Sequence, residues 1–300
     1  MNRACLYKNT NLHENNYMRA PSGILITNYF RMKNLITFKS LFLVLILSVV
    51  TISCSKDSGG INIFSLQDDI TFGNQVDQEI LSKPQEYPLL DSTQYPTAYK
   101  HLYRIRNTIL ALGELKHAND FGWKCRIIKN DTVVNAFCVP GGNIYVYTGI
   151  IKLLDNEAQF AGVMAHEMAH ADRRHSTKQL TYTYGIDILL SAVLGDSPST
   201  IASVAAGLAE GLSSLAFSRD DEYEADEYAV KYLYKTEYDA ASLGDFFSKM
   251  MGQSQVPVFL STHPSDEKRL EKINEVFNGL GGVHKSTFPE RYQEFKNSLP

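Results

Sequence analysis

Five consecutive residues, His166-Glu167-Met168-Ala169-His170, carry the chemistry of this 300-residue chain. Histidines four apart lie one above the other on a helix face, so both imidazoles can grip one metal ion. Glu167, beside the first of them, can then act as a base on a water that the metal activates. Zinc with an open coordination position and a nearby carboxylate hydrolyses peptide bonds. The plain alternative is two surface histidines on an ordinary helix. The lead-in from Asn156 to Ala165 counts against it, being almost uncharged with apolar residues on nearly every side, the pattern of a buried helix. Histidine and glutamate inside such a helix need compensation for lost hydration, and a metal supplies it.

Catalytic zinc takes three protein ligands and a water. The third candidate lies in Ser218 to Ala229, which reads as a helix start. Ser218 can cap it, and acidic residues crowd the first turn where the helix dipole favours them. Glu222 and Asp226 are four apart and share a face. One carboxylate can bind the metal while the other orients a ligand histidine. A solvated acidic helix end is the alternative, and spacing alone does not choose between Glu222 and Glu224.

HExxH followed some fifty residues later by E-x-E-A-D (Glu222, Glu224, Ala225, Asp226) resembles the HtpX-like and CAAX-prenyl-protease-like zinc endopeptidases. These are family forty-eight of the metallopeptidases, of the gluzincin type. Asn135-Ala136-Phe137 and Pro140 to Val146 are similar to the strand region ahead of that family's zinc helix. Arg174-His175 follows the motif as it does there, and Thr262-His263-Pro264 with Arg269 resembles its H-P block. The resemblance covers roughly residues 62 to 280. It implies Zn2+, one per chain, held by His166, His170 and Glu222, with Glu167 as general base and Asp226 orienting a ligand. Glu224 is left without a metal role. In some members the H-P histidine occupies the metal's open position, so His263 is expected as a gate or as a donor to the tetrahedral intermediate. A loop histidine packed on the next helix is the alternative.

The expected reaction is attack of activated water on a scissile carbonyl, with Glu167 taking the proton and passing it to the leaving amine. No G-x-S-x-G elbow is present. A peptide substrate must lie extended and can pair with an exposed strand edge. Ile144 and Val146 alternate with Tyr145 and Tyr147, and Gly141-Gly142 allows close backbone approach. Mostly on the strength of the resemblance, Gly142, Asn143, Ile144 and Tyr145 are expected to form the substrate edge, against the alternative of a core strand after a glycine turn.

These residues require elements to position them. Ser65 can cap a helix running to about Leu81, and a second helix spans about 97–112. Strands are expected near 122–129, 132–139 and 143–147, and helices at 156–176, 218–234, 239–251 and 265–277. The fold class is α+β: a mainly helical, zincin-like metallopeptidase domain with a small β-sheet whose edge strand flanks the active site. Asn130-Asp131 is a turn signal between the first two strands. Cys125 and Cys138 would face each other across such a hairpin, as a disulfide or as two buried thiols. Residues 185–217 are small and apolar but interrupted by Asp187, Asp196, Pro198 and Glu210, too broken for two comfortable spans. They read as a helical hairpin turning at Gly195 to Pro198 and packed over the site.

The first 53 residues differ from the rest. A short basic stretch from Met32 to Lys39, an apolar run from Leu41 to Val50, and Ser53-Cys54 make a secretory signal. Cysteine at the cleavage point suggests a bacterial lipoprotein lipidated at Cys54, although Thr51 stands where such signals carry leucine. An uncleaved anchor is the alternative, and Met32 fits a true start. The expected organisation is leader and signal 1–53, tether 54–61, and one metallopeptidase domain 62–300. The chain holds 29 basic and 33 acidic residues, net −4; the leader takes six and one, so 23 and 32 remain, a net −9. An acidic domain is a poor nucleic-acid binder, and membrane attachment would come through the lipid.

The leading expectation is a zinc endopeptidase of the bacterial cell envelope, periplasm-facing or outer-membrane. Its partners would be unfolded or misassembled envelope proteins, the quality-control role resting on the resemblance alone. The alternative is a chaperone-like assembly factor that holds clients in the cleft with little cleavage. A structural zinc protein fits poorly, because such sites are closed by four cysteine-rich ligands.

Overall fold

The computed structural model describes residues 62–184, 203–207, 216–253, 257–264 and 267–300. Cys54, the leader and the tether lie outside them, as does most of the expected hairpin at 185–217. No helix of the described residues is long and apolar enough to cross a membrane.

Helix α1 (Leu66–Ser82) starts as expected. Ser65 accepts from the Asp68 backbone and Asp68 reaches back to the Ser65 backbone, a reciprocal cap that satisfies two free donors. Helix α2 (Pro96–Leu110) begins on a proline that needs no donor there. Three strands follow: β1 (Cys125–Ile128), β2 (Ala136–Val139) and β3 (Asn143–Tyr147). After short α3 (Thr148–Leu153) come α4 (Glu157–Asp172), α5 (His175–Tyr184), α6 (Arg219–Tyr234), α7 (Ser242–Met251), α8 (Val258–Thr262), α9 (Glu267–Gly279) and α10 (Pro289–Asn297). The architecture is α+β, mostly helical around a three-stranded mixed sheet.

Strand alternation divides the core. Ala136, Cys138, Ile144 and Val146 pack with α2, α4 and α7, whereas Phe137, Val139, Tyr145 and Tyr147 pack with Phe72, Val76 and Ile80 of α1. The sheet is thus a middle layer. Two buried acids of α1 are tied to what it covers: Asp77 to Arg126 at 2.8 Å and to the Tyr145 hydroxyl, and Asp69 to Arg174. All sixteen residues of α4 are buried. Its alanines and Gly162 allow this. A Cβ on Gly162 would come within 3.1 Å of the Leu243 backbone on α7.

The strand order is β1-β3-β2, with β3 parallel to β1 and antiparallel to β2. Two expectations are corrected by it. Strand β3 is central, so Asn143, Ile144 and Tyr145 are buried, and Ile144 and Tyr145 have strand partners on both sides. Asn143 instead donates to the Gly73 carbonyl of α1 at 3.1 Å, and Gly141 and Gly142 take φ of 74° and 84° to turn β2 into β3. The edge strand beside α4 is β2. Secondly, β1 and β2 form no hairpin. The Asn130 turn is held by α3, with the Asn130 amide donating to Thr148 Oγ1 at 3.0 Å and its carbonyl accepting from Gly149 at 3.1 Å. That leaves room for β3 between them. Cys125 and Cys138 both register with Ile144 from opposite sides. Two strand spacings, about 9–10 Å, exceed the span of a disulfide, and both are buried free thiols.

The C-terminal segment is integral. Tyr292 and Phe295 of α10 are fully buried, and the Tyr292 hydroxyl donates to the Ile151 carbonyl at 2.7 Å.

A buried candidate metal centre

Three helices and one loop converge on the site. α4, capped by Asn156, carries His166, Glu167 and His170. α6, capped by Ser218 through the Asp221 amide, carries Glu222 and Asp226. The Phe217 amide donates to the Thr262 carbonyl at 3.3 Å, which ties the start of α6 to the end of α8 and sets His263 beside Glu222. Arg269 arrives from the first turn of α9. All six acid and histidine side chains, and Arg269, are buried.

His170 Nε2 and His166 Nε2 stand 3.1 Å apart. Glu222 lies 3.5 Å from His166 Nε2 and 3.6 Å from His170 Nε2. His263 Nδ1 is 3.3 Å from His166 Nε2 and 3.0 Å from Glu222 Oε1. Donors on a tetrahedral zinc with bonds of about 2.0–2.2 Å stand about 3.3–3.6 Å apart. The four groups therefore already have the spacing of one metal's ligand shell, and their chemistry (three imidazoles and a carboxylate) suits zinc.

Each group is also oriented from behind. His166 Nδ1 donates to Asp226 at 2.9 Å, which turns Nε2 toward the cluster. Arg269 clamps Asp226 with two contacts of 2.7 Å and reaches Glu222 Oε2 at 2.7 Å. Phe217 stacks on His170 and Phe259 on His263, with ring centroids 4.1 and 4.4 Å apart. His170 Nδ1 is 2.9 Å from His175 Nδ1.

Electrostatics follow burial and partners. Burial opposes charge on His166, but its hydrogen bonds to Asp226 and Glu222 outweigh it and raise its pKa to about 9. Burial, then the neighbouring His166 charge, drive His170 well below the usual imidazole range. Burial works against the Glu222 carboxylate too, yet the charges of His263 and Arg269 hold its pKa far below normal. A cluster that wants one added positive charge among several imidazoles suits a metal cation. Burial lifts the Glu167 carboxyl above its ordinary range. Glu167 is only weakly partnered: its polar neighbours among the described residues are the Cys138 backbone of β2 and His263 Nε2, 3.5 Å away. A fully buried acid so weakly partnered costs stability. Functional sites are where such costs persist.

The sequence-derived set is brought together: His166, Glu167, His170, Glu222, Asp226 and His263 form one cluster, with His263 against the metal donors rather than packed only on α9. Gly142, Asn143, Ile144 and Tyr145 are not an edge, and the strand beside Glu167 is β2. The contacts of three residues named in the sequence, Arg269, Glu224 and His175, escaped sequence reasoning. Arg269 holds two carboxylates. Glu224 and His175 meet each other behind His170, at 3.2 Å. The periodic signal is blind to His175, which follows His170 by five residues and returns to it only through a left-handed turn at Arg174, φ 61°.

Comparison with known proteins gives the same direction. The model of Peptidase family M48 matches residues 99–276. The mitochondrial metalloendopeptidase OMA1 of Schizosaccharomyces pombe is 32% identical over 187 residues, 60% of this chain and 53% of that protein. The β-barrel assembly-enhancing protease of Yersinia pestis is 32% identical over 168 residues, 51% of this chain and 34% of that one. Its Escherichia coli counterpart is 30% identical over 159 residues, 48% and 32%. The chain thus spans about a third to a half of the length of these curated relatives.

Proposed function

The chain belongs to peptidase family M48, and on that premise we propose that it is a zinc-dependent endopeptidase of the bacterial cell envelope. One observation carries the proposal: three imidazoles and a carboxylate at ligand spacing, with a fully buried, weakly partnered glutamate beside them. His166, His170 and Glu222 would hold the metal. When bound, zinc supplies a Lewis acid for the scissile carbonyl and lowers the pKa of water. Glu167 takes the proton of the attacking water and delivers it to the leaving amine. Asp226 and Arg269 keep His166 and Glu222 aimed. The side of β2 away from β3, which has no strand partner among the described residues, is the backbone edge nearest Glu167 and is suited to pair with an extended peptide.

Three features support an envelope setting for unfolded or misassembled protein substrates. They are the basic–apolar–cysteine leader with Cys54 as lipid site, the tether at 54–61, and the similarity to bacterial β-barrel assembly-enhancing proteases. His263 is the gate. It completes a four-donor set and so fills the position where water and substrate must enter. That contact also favours a second reading, a client-holding factor with suppressed cleavage.

A single assay on the full chain tests this. Cleavage of an unfolded protein is followed with chelator, with zinc restored, and in His263→Ala. The expected result is loss of cleavage on chelation, recovery with zinc, and cleavage by His263→Ala at least several-fold above that of the unaltered chain. Cleavage that survives removal of all metal would defeat the enzyme reading. No gain in His263→Ala would defeat the gate.

A further inference from the structure

We propose that His175, itself held by Glu224, is a positioning residue that fixes the tautomer and ring orientation of His170; this rests on the metal reading above. For His170 to offer Nε2 to a metal, its proton must sit on Nδ1. That Nδ1 points at His175 Nδ1, 2.9 Å away, which must then accept. An accepting Nδ1 in a neutral imidazole puts the His175 proton on Nε2. Nε2 in turn faces Glu224 Oε2 at 3.2 Å, with Asp221 Oδ1 3.7 Å away. The other Glu224 oxygen takes Arg173 Nε at 2.7 Å. Every donor meets an acceptor along the line from Glu224 to His175 to His170. His166 is oriented by one carboxylate, Asp226; the carboxylate behind His170 acts through an intervening imidazole. Phe217 stacks on His170 and packs against His175, with ring centroids 4.1 and 6.3 Å apart. The rings are thereby boxed as well as bonded.

His175, Asp221 and Glu224 also lie close enough to hold a cation of their own. Lys178 on Asp221 and Arg173 on Glu224, each at 2.7 Å, already supply positive charge there. A second metal would have to displace or repel them, so the orienting role is the one the geometry favours.

The test uses the full chain loaded with zinc and, separately, with cobalt. Zinc dissociation into a chelator and the cobalt d–d absorption spectrum are recorded for the unaltered chain and for His175→Phe, His175→Gln and Glu224→Gln. Losing an outer partner of a ligand histidine weakens metal binding about 10–100-fold. His175→Phe should show that loss and an altered cobalt spectrum. His175→Gln, whose amide can accept from His170 and donate to Glu224, should regain most of both. Glu224→Gln should show a smaller loss of the same kind. Unchanged dissociation and spectrum in His175→Phe, or equal damage in the Phe and Gln variants, would overturn the proposal. If His175→Phe does not fold, unchanged behaviour of Glu224→Gln would overturn it. Two metals per chain, with the second alone lost in the variants, would overturn it in favour of a separate site. An unaltered chain that retains no metal would instead overturn the metal reading, and the relay with it.

Discussion

Glu167→Gln is expected to retain its metal and lose about 10²–10⁴-fold in peptide cleavage, the range that a positioned general base contributes. The replacement is nearly isosteric, so the fully buried helix α4 has no reason to repack. None of the donors at ligand spacing is touched. What disappears is the most weakly partnered carboxylate of the cluster, whose polar neighbours are the Cys138 backbone and His263 Nε2 at 3.5 Å. A buried acid of that kind is destabilising, so the variant's melting temperature should be no lower than that of the unaltered chain. Metal content, thermal melting and cleavage of an unfolded protein measured on the same preparation check all three statements. Parallel loss of metal and activity would instead make Glu167 a structural part of the site.

Arg269→Met should be the most destabilising single change in the site. The guanidinium is 1% exposed and holds Asp226 through two contacts, Glu222 through one, and the carbonyls of His263 and Pro264 at 3.4 and 3.2 Å. Methionine fills similar space but leaves two carboxylates without their cation. Breaking a buried pair from one side costs about 3–5 kcal/mol, a large part of the 5–15 kcal/mol that a typical domain has. Asp226 would also release His166, and Glu222 would lose its aim, so metal retention should fall with stability. Arg269→Lys keeps the charge without the planar fork and should land between the two. Urea unfolding with and without added zinc measures the effect. A cost under about 1 kcal/mol would mean the carboxylates find other partners.

Much of the site was legible because helical spacing translates directly into shared faces. His166 and His170 are one turn apart, as are Glu222 and Asp226, and the two helices meet along those faces. Glu224, two residues on from Glu222, necessarily points elsewhere, and the structure finds it on Arg173 and His175. The caps at Ser65 and Ser218 are local chemistry and were readable for the same reason. The sheet was not. Alternation tells which residues share a face but says nothing about which strand is central. The Asn130 turn looks like a hairpin until Thr148 and Gly149 bind it. His175 and Arg269 depend on a left-handed turn and on the docking of α9 against α6. Neither leaves a periodic trace. The resemblance placed His263 near the metal but gave Arg269 only as part of the same block, without saying what it touches.

The central claim is that one metal sits between α4 and α6. Anomalous diffraction at the zinc absorption edge, from crystals of the chain grown with zinc, tests it most directly. One peak is predicted, about 2.0–2.2 Å from His166 Nε2, His170 Nε2 and a Glu222 oxygen. A fully zinc-loaded crystal with its only peak elsewhere, for instance among His175, Asp221 and Glu224, would contradict it.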